Sequence, residues 1–247
     1  MFTASIDALD PVTVRIPSDG VALTGQLTVS PRRHGLIVFA HGHGSSRLSP
    51  RNQYVSRVLA RAGFGTLLLD LLTPTEAEHG DTDCDVELLA HRLIAATLWL
   101  RLRPHTAELP LGYFGASTGA AAVLSASVQA GREIGAVVSR GGRLDLATDW
   151  LPGVAAPTLL IVGGRDDEVI GRNRAALRRL RVTSELVIVP GATHQFAELG
   201  ALEEVARLAA SWFGRYLEGP GAAAYPAAPA RTRRRRRVPS PADLLHA

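Results

Sequence analysis

The chain has 247 residues, of which 46% are hydrophobic and 20% are charged, and this balance excludes a disordered or fibrous protein. The length suits one sizeable α/β domain with a continuous core. The formal net charge is +4. Residues 231–247 contain six arginines and a single acid, and their own positive charge exceeds this net value. The rest of the chain is therefore close to neutral and gives no indication of a nucleic-acid partner, which only the Arg-rich end could bind.

The sequence also bears on the compartment. Residues 1–10 contain two acids and lack a basic segment followed by an apolar one, so we expect no secretory signal. No apolar run approaches the roughly 20 residues that a membrane-spanning helix needs. A lone cysteine, Cys84, excludes an intrachain disulfide framework. These features predict a cytoplasmic protein with no membrane partner.

Secondary structure can be predicted in chain order. Segments 12–16 and 21–29 alternate apolar and polar residues around a Pro-Ser-Asp-Gly turn, which indicates an antiparallel hairpin. Short apolar runs then predict strands buried on both faces, at 36–40, 66–70, 111–115, 136–139, 158–163 and 186–190. Segments with helical periodicity lie between and after them, at 51–62, 85–102, 118–130, 168–180 and 201–217.

This alternation of strand and helix predicts an α/β fold: a doubly wound, mostly parallel sheet with helices on both faces. Ligands bind such sheets outside the carboxyl ends of the strands, so catalytic residues are expected in the loops that follow strands. After residue 218 the sequence becomes rich in Gly, Pro and Ala and then in Arg, a composition that cannot bury enough apolar surface to order itself. We therefore predict one domain over residues 1–218 and a disordered tail over residues 219–247.

The strongest local motif is Gly115-Ala116-Ser117-Thr118-Gly119, which follows a predicted strand and precedes an Ala-rich helical segment. It has the form G-x-S-x-G, in which a serine nucleophile is held on a sharp strand-to-helix turn between small residues. The alternative is a Gly- and Ala-rich turn with an incidental serine. A serine nucleophile needs a general base and an orienting acid later in the chain, each at a strand end.

Both partners are present. His194 follows the last predicted strand, and Asp166 follows the strand before it. The order Ser, Asp, His is the one expected of α/β-hydrolases and differs from the orders in the other two common serine hydrolase scaffolds. We therefore predict a catalytic triad of Ser117, His194 and Asp166.

The acid has competitors. Asp167 is adjacent to Asp166, and both Asp70 and Asp145 also follow predicted strands. We favour Asp166 because it is the first acid after the Gly-Gly turn, with Asp167 as the next choice. The remaining acids then read as solvated loop carboxylates or helix caps.

His41-Gly42-His43-Gly44 follows the strand at 36–40, where this architecture places the second donor of the oxyanion hole. The backbone N–H groups of Thr118 and His43 are the expected pair. An alternative takes His41 and His43 as metal ligands, but no third ligand stands at a suitable spacing. We therefore predict no metal, and a structural hydrogen-bonding role for His41.

Several arginines follow predicted strands on the side where substrate must lie: Arg47, Arg140, Arg143 and Arg165. Arg recognises carboxylates with two parallel hydrogen bonds, so one or more of Arg47, Arg140 and Arg143 is a candidate for binding an anionic group of the substrate. The alternative is a set of ordinary surface arginines in an Arg-rich protein.

With these residues in place, residues 10–217 resemble the dienelactone hydrolase-like branch of the α/β-hydrolase superfamily, which includes members fused to or encoded beside phosphoribosyltransferases. The most specific stretches are 40–47, 112–120 and 189–194. The resemblance supports the triad, but dienelactone hydrolases proper carry Cys where this chain has Ser117, so their lactone substrate does not carry over. The short segment between 139 and 158 also leaves no room for a large lid.

Three functions remain open from the sequence. The first is a serine hydrolase that cleaves a small carboxylic ester or lactone through an acyl-enzyme on Ser117, without a cofactor. The second is acyl transfer or perhydrolysis on the same triad. The third is a non-catalytic member that acts as a binding module through its basic tail, which would contact phosphates without sequence preference.

Overall fold

The computed structural model describes residues 10–79 and 85–217. The predicted tail at 219–247 and Cys84 lie outside the described residues. The chain begins with the expected hairpin of strands β1 (Val12–Ser18) and β2 (Val21–Thr28). Asp19 and Gly20 join them with positive φ angles of 42° and 78°, as a two-residue turn that matches the twist of the strands requires.

Six further strands continue the sheet: β3 (Leu36–Ala40), β4 (Gly65–Leu69), β5 (Leu111–Ala116), β6 (Ile134–Arg140), β7 (Thr158–Gly163) and β8 (Ser184–Val189). The eight strands lie in the order β1-β2-β4-β3-β5-β6-β7-β8, with β2 antiparallel to β4 and all later pairs parallel. Every residue of β3, β4, β5 and β7 is buried, because helices cover both faces of this part of the sheet.

The helices are α1 (Pro50–Arg61), α2 (Pro74–His79), α3 (Val86–Arg101), α4 (Thr118–Ala130), α5 (Asp167–Leu177) and α6 (Ala201–Leu217). Helices α1 and α6 pack together on one face of the sheet, and α3 and α4 pack together on the other. The doubly wound α/β architecture predicted from the sequence is confirmed. None of the helices in the described part of the chain is long and apolar enough to cross a bilayer.

Helix α2 was not predicted, and the sequence carries a signal for it. The Thr73 backbone N–H donates to Glu76 Oε2 at 2.7 Å, and the Glu76 N–H donates to Thr73 Oγ1 at 3.3 Å. This is a capping box, which the spacing of Thr73 and Glu76 encodes. Arg92 of α3 bonds both oxygens of the Glu76 carboxylate, at 2.8 and 2.5 Å, and so joins α2 to the body of the domain.

The segment between β6 and β7 contains only two short 3-10 turns, Leu144–Ala147 and Leu151–Gly153. It carries no helical lid, in agreement with the sequence. One expectation is corrected at its start: Arg140 was placed in a loop after a strand, but it is the last residue of β6 and is 8% exposed. Its carbonyl oxygen accepts a hydrogen bond from the Ser117 N–H, in the turn after β5, at 3.1 Å.

Candidate active site

Ser117 occupies the sharp turn between β5 and α4. Its φ of 52° and ψ of −121° lie in a region that a non-glycine residue rarely adopts. Two bonds to the segment after β6 hold this backbone in place: the Ser117 N–H donates to the Arg140 carbonyl at 3.1 Å, and the Ser117 carbonyl accepts from the Arg143 N–H at 3.0 Å. Neighbouring structure therefore maintains the strained conformation of the serine.

The glycines around Ser117 are needed because the backbone is crowded. A Cβ atom on Gly115 would lie 2.5 Å from Ala120 Cα, and one on Gly119 would lie 2.4 Å from the carbonyl oxygen of His41. Both separations are far below van der Waals contact. A Cβ on Gly42 would lie 2.8 Å from Ser117 Cβ, so the loop after β3 passes directly over the serine.

His194 lies in the loop after β8 and faces Asp166, which directly follows the turn after β7. The distance from His194 Nδ1 to Asp166 Oδ2 is 2.7 Å, with the side chains 37% and 15% exposed. This bond identifies Nδ1 as the protonated ring nitrogen, which leaves Nε2 to accept a proton. The ring also lies close to Gly141, where an added Cβ would be 3.3 Å from His194 Cε1.

The segment after β6 thus contacts both Ser117 and His194, and it brings the two loops together at the carboxyl edge of the sheet.

Each of the competing acids is engaged elsewhere or exposed. Asp70 accepts from the Arg47 N–H at 2.6 Å and also pairs with the Arg47 guanidinium. Asp145 pairs with Arg143 at 2.9 Å, and Asp167 is exposed in the first turn of α5.

The expected oxyanion donors also meet at the turn. The His43 N–H donates to Thr118 Oγ1 at 3.0 Å, so the amide points to the first residue of α4, one position after Ser117. The Thr118 hydroxyl oxygen is therefore the acceptor of the His43 amide in this structure. The start of α4 adds positive potential there, because the first N–H groups of a helix have no partner within it.

His41 has the structural role expected from the sequence. Its Nε2 accepts from the Leu71 N–H at 3.2 Å, so Nδ1 carries the proton and donates to the Gly42 carbonyl at 3.0 Å. Both ring nitrogens are therefore used to fix the loop after β3. Within residues 10–79 and 85–217, no three His, Cys, Asp or Glu side chains group together in a way that could hold a metal ion.

The predicted arginines fall into different environments. Arg47 is paired with Asp70, and Arg143 with Asp145, so each already has an acidic partner. Arg140 Nη1 is buried and has no hydrogen-bond partner among the described residues. Burial, and then the charge of Arg51, lower the pKa of Arg140 to about 10, so the guanidinium remains charged at neutral pH. Arg51 was not predicted to lie near the site, because its position in a helical segment at 51–62 gives no signal of such a role.

A cavity of about 890 Å³ opens beside this edge of the sheet. Its wall is formed by the loop after β3, the first turn of α1, the segment from β4 to α2, and Gln195. His43 and Arg51 are among the lining residues, whereas Ser117 and His194 lie next to it and do not line it. The cavity is large enough for a small-molecule ligand.

Comparison with known proteins places this arrangement in a family. Residues 22–217 match the sequence profile of the Dienelactone hydrolase family. The chain belongs to the dienelactone hydrolase family. The match includes Ser117, Asp166 and His194, and it confirms the resemblance inferred from the sequence. A crystal structure of a dienelactone hydrolase from Anabaena variabilis is 50% identical, with a TM-score of 0.82, and the match covers 84% of this chain and 98% of that one.

More distant structures share the fold. Est1E from Butyrivibrio proteoclasticus is 16% identical with a TM-score of 0.68, over 80% of this chain and 97% of that one. An esterase domain from Rhodothermus marinus is 20% identical with a TM-score of 0.67, over 84% of this chain and 99% of that one. At these identities the likeness shows the α/β-hydrolase fold alone.

Two curated relatives come from strains of Mycobacterium tuberculosis and carry the provisional name phosphoribosyl transferase. Each is 54% identical over 208 residues, which make up 84% of this chain and 47% of the relative. The chain thus spans about half the length of these relatives. Family membership and the dienelactone hydrolase structure together support a hydrolase.

Proposed function

We propose that the protein is a serine hydrolase that cleaves a small carboxylic ester or lactone through an acyl-enzyme on Ser117. The observation that carries the proposal is the 2.7 Å contact between His194 Nδ1 and Asp166 Oδ2, at the edge of the sheet where Ser117 occupies its strained turn. An acid bonded to Nδ1 fixes the tautomer of the histidine and stabilises its protonated form. His194 is then suited to act as the general base for Ser117.

In the proposed mechanism, Ser117 Oγ attacks the acyl carbon while His194 Nε2 takes its proton. The resulting oxyanion accepts hydrogen bonds from the N–H groups of Thr118 and His43. The Thr118 hydroxyl must give up its bond to the His43 amide for the substrate oxygen to enter. His194 next protonates the leaving alcohol, and a water molecule activated by the same histidine hydrolyses the acyl-enzyme.

The surroundings of the site favour a small substrate. The cavity of about 890 Å³ adjoins the loops that hold Ser117 and His194, and no helical lid extends from the segment after β6. All groups in the proposed steps are side chains or amides of the protein, so the mechanism needs no cofactor. The expected partner is a small ester or lactone. The proposed location is the cytoplasm, where a protein with a single cysteine needs no disulfide.

Steady-state hydrolysis tests this function. The purified protein should hydrolyse a short-chain aryl acetate and a small lactone, and Ser117→Ala should lower kcat by about 10³-fold or more, because the acyl-enzyme cannot form. Circular dichroism would establish that the variant is folded. Full activity in Ser117→Ala, or no hydrolysis of any ester or lactone by the folded wild-type protein, would contradict the proposal.

A further inference from the structure

Arg140 is a buried cation with no acidic partner in the described part of the chain. The residue is 8% exposed, and its Nη1 atom is buried with no hydrogen-bond partner among residues 10–79 and 85–217. Burying a charged guanidinium without a paired anion is unfavourable, so buried arginines usually bond a carboxylate. An arginine left in this state indicates an anion that is absent from the protein itself.

The strand geometry shows where the Arg140 side chain points. Side chains alternate between the two faces of a strand, and Ala136 and Val138 of β6 belong to the apolar cluster beneath α1 and α6. Arg140 lies two residues after Val138 in the same strand and therefore projects to the same face, at the carboxyl end of the sheet. Arg51 occupies the first turn of α1 at this end, and its charge is near enough to lower the pKa of Arg140.

No acid in the described part of the chain offsets these two charges. Burial and the charge of Arg51 both disfavour the charged form of Arg140, and no carboxylate counters them. Asp70, on the wall of the same cavity, is bonded to Arg47, while Glu78 is an exposed residue of α2. Arg51 lines the cavity, so an anion entering from solvent can reach it.

We propose that Arg51 and Arg140 form an anion site that holds a phosphate group of the substrate beside Ser117. The two like-charged guanidinium groups call for more than one negative charge. A phosphate monoester carries a charge of about −1.5 to −2 at neutral pH and offers three strong acceptor oxygens. A carboxylate would leave one of the two positive charges uncompensated, so the structure favours phosphate.

This inference rests on the proposed function and names its substrate class. The phosphate serves as a recognition group and is not transferred. The bond that breaks is the acyl C–O bond of a carboxylic ester elsewhere in the same molecule. The Arg140 carbonyl accepts from the Ser117 amide at 3.1 Å, so the Arg140 side chain starts from a backbone position next to the nucleophile.

Binding of inorganic phosphate tests the site independently of hydrolysis. Titration calorimetry at constant ionic strength should show phosphate binding to the wild-type protein and to Ser117→Ala with the same affinity. Arg140→Gln and Arg51→Gln should each weaken phosphate binding at least tenfold. Arg61→Gln is the matched control, because it removes the same charge from the opposite end of α1, and its affinity should equal that of the wild type.

The outcomes separate the two proposals. Unchanged phosphate affinity in Arg51→Gln, or acetate binding as tightly as phosphate, would overturn the proposed phosphate site. This holds even if Arg140→Gln does not fold, because Arg51 is only half-buried at the surface of α1. Phosphate binding that depends on both arginines in a protein without esterase activity would refute only the proposed function.

Substrate preference provides a second test. In the wild-type protein, kcat/KM for 2-acetoxyethyl phosphate should exceed that for the neutral 2-methoxyethyl acetate at least tenfold. Arg51→Gln should reduce this ratio at least tenfold, while Arg61→Gln should preserve it. Equal kcat/KM values for the two esters in the wild type would contradict a phosphate-bearing substrate.

Discussion

Ser117, His194 and Asp166 follow three different strands, and contacts around them hold their loops at the same edge of the sheet. Ser117 has a φ of 52°, and such a conformation persists only where the surrounding structure determines it. The Arg140 carbonyl and the Arg143 amide supply that constraint. At the scale of single residues, the segment after β6 is therefore as important to the site as the G-x-S-x-G motif.

The two adjacent acids permit a matched test at this scale. Asp166→Asn should lower kcat for an aryl acetate by about 10³- to 10⁴-fold, because an amide cannot hold His194 in the same tautomer or stabilise its charge. Asp167→Asn should have little effect, since Asp167 is exposed on α5. The two kcat values decide between the acids, and a larger loss in Asp167→Asn would show that the triad is assigned wrongly.

At the scale of elements, glycines let the helices and loops approach the strands closely. Gly119 lies in the first turn of α4, where the helix meets the end of β3, and a Cβ there would be 2.4 Å from the His41 carbonyl. Gly171 in α5 is different, because a Cβ there would meet nothing within 4 Å. The same substitution should therefore have opposite effects at the two positions.

Gly119→Ala should destabilise the protein by about 1–3 kcal/mol or more, because backbone atoms must shift to admit the methyl group. Gly171→Ala should instead stabilise it by about 0.5–1 kcal/mol, since alanine favours a helix interior. Urea unfolding of both variants measures these free energies. Equal stability of Gly119→Ala and the wild type would mean that α4 does not pack this closely on β3.

The link between α2 and α3 should depend on pH. Hydrogen bonding from Arg92 lowers the pKa of Glu76 from 4.5 to about 2. The pair therefore stabilises the fold above the unfolded pKa of 4.5, and this contribution is lost as the pH falls towards 2. Glu76→Gln should reduce the free energy of unfolding by about 2 kcal/mol at pH 7, because it leaves the buried Arg92 without a counter-charge.

The difference between Glu76→Gln and the wild type should shrink as the pH falls towards 2 and disappear only below it, because Glu76 is fully protonated in the folded state only below its pKa of about 2. Glu78→Gln is the control, since it changes an exposed carboxylate on the same helix. Urea unfolding at several pH values measures the difference. A difference that does not vary with pH would show that the charge of Glu76 does not stabilise the fold.

At the scale of the whole molecule, α6 packs across one face of the sheet. Its last residue, Leu217, is 4% exposed and covers the start of three strands. A Cβ on Gly112 or Gly135 would lie 3.0 or 2.7 Å from a Leu217 methyl group, and one on Gly35 would lie 3.5 Å away.

Leu217→Ala should therefore destabilise the domain by about 2–5 kcal/mol, since it leaves a cavity over the three glycines. A chain that ends at Glu218 should retain the melting temperature of the full chain, because the predicted domain ends there. Calorimetric melting of both proteins provides the comparison. A large loss of stability on truncation would contradict the predicted division at residue 218.

The sequence predicted much of this molecule. The bounds of β3, β7, α4 and α6 agree with prediction, because buried apolar runs and long helical periods determine them locally. The pairing of Arg47 with Asp70 joins residues 23 positions apart, and no local pattern specifies such a contact. The burial of Arg140 was missed for a related reason: an arginine at a strand end normally faces solvent.

Labelling with a fluorophosphonate probe tests the proposed acyl-enzyme on Ser117, because the probe reacts only with an activated serine. Peptide mass spectrometry of the wild-type protein should locate the adduct at Ser117. Labelling should vanish in Ser117→Ala and weaken in His194→Ala. An adduct on another serine, or no adduct on folded wild-type protein, would contradict an acyl-enzyme mechanism at Ser117.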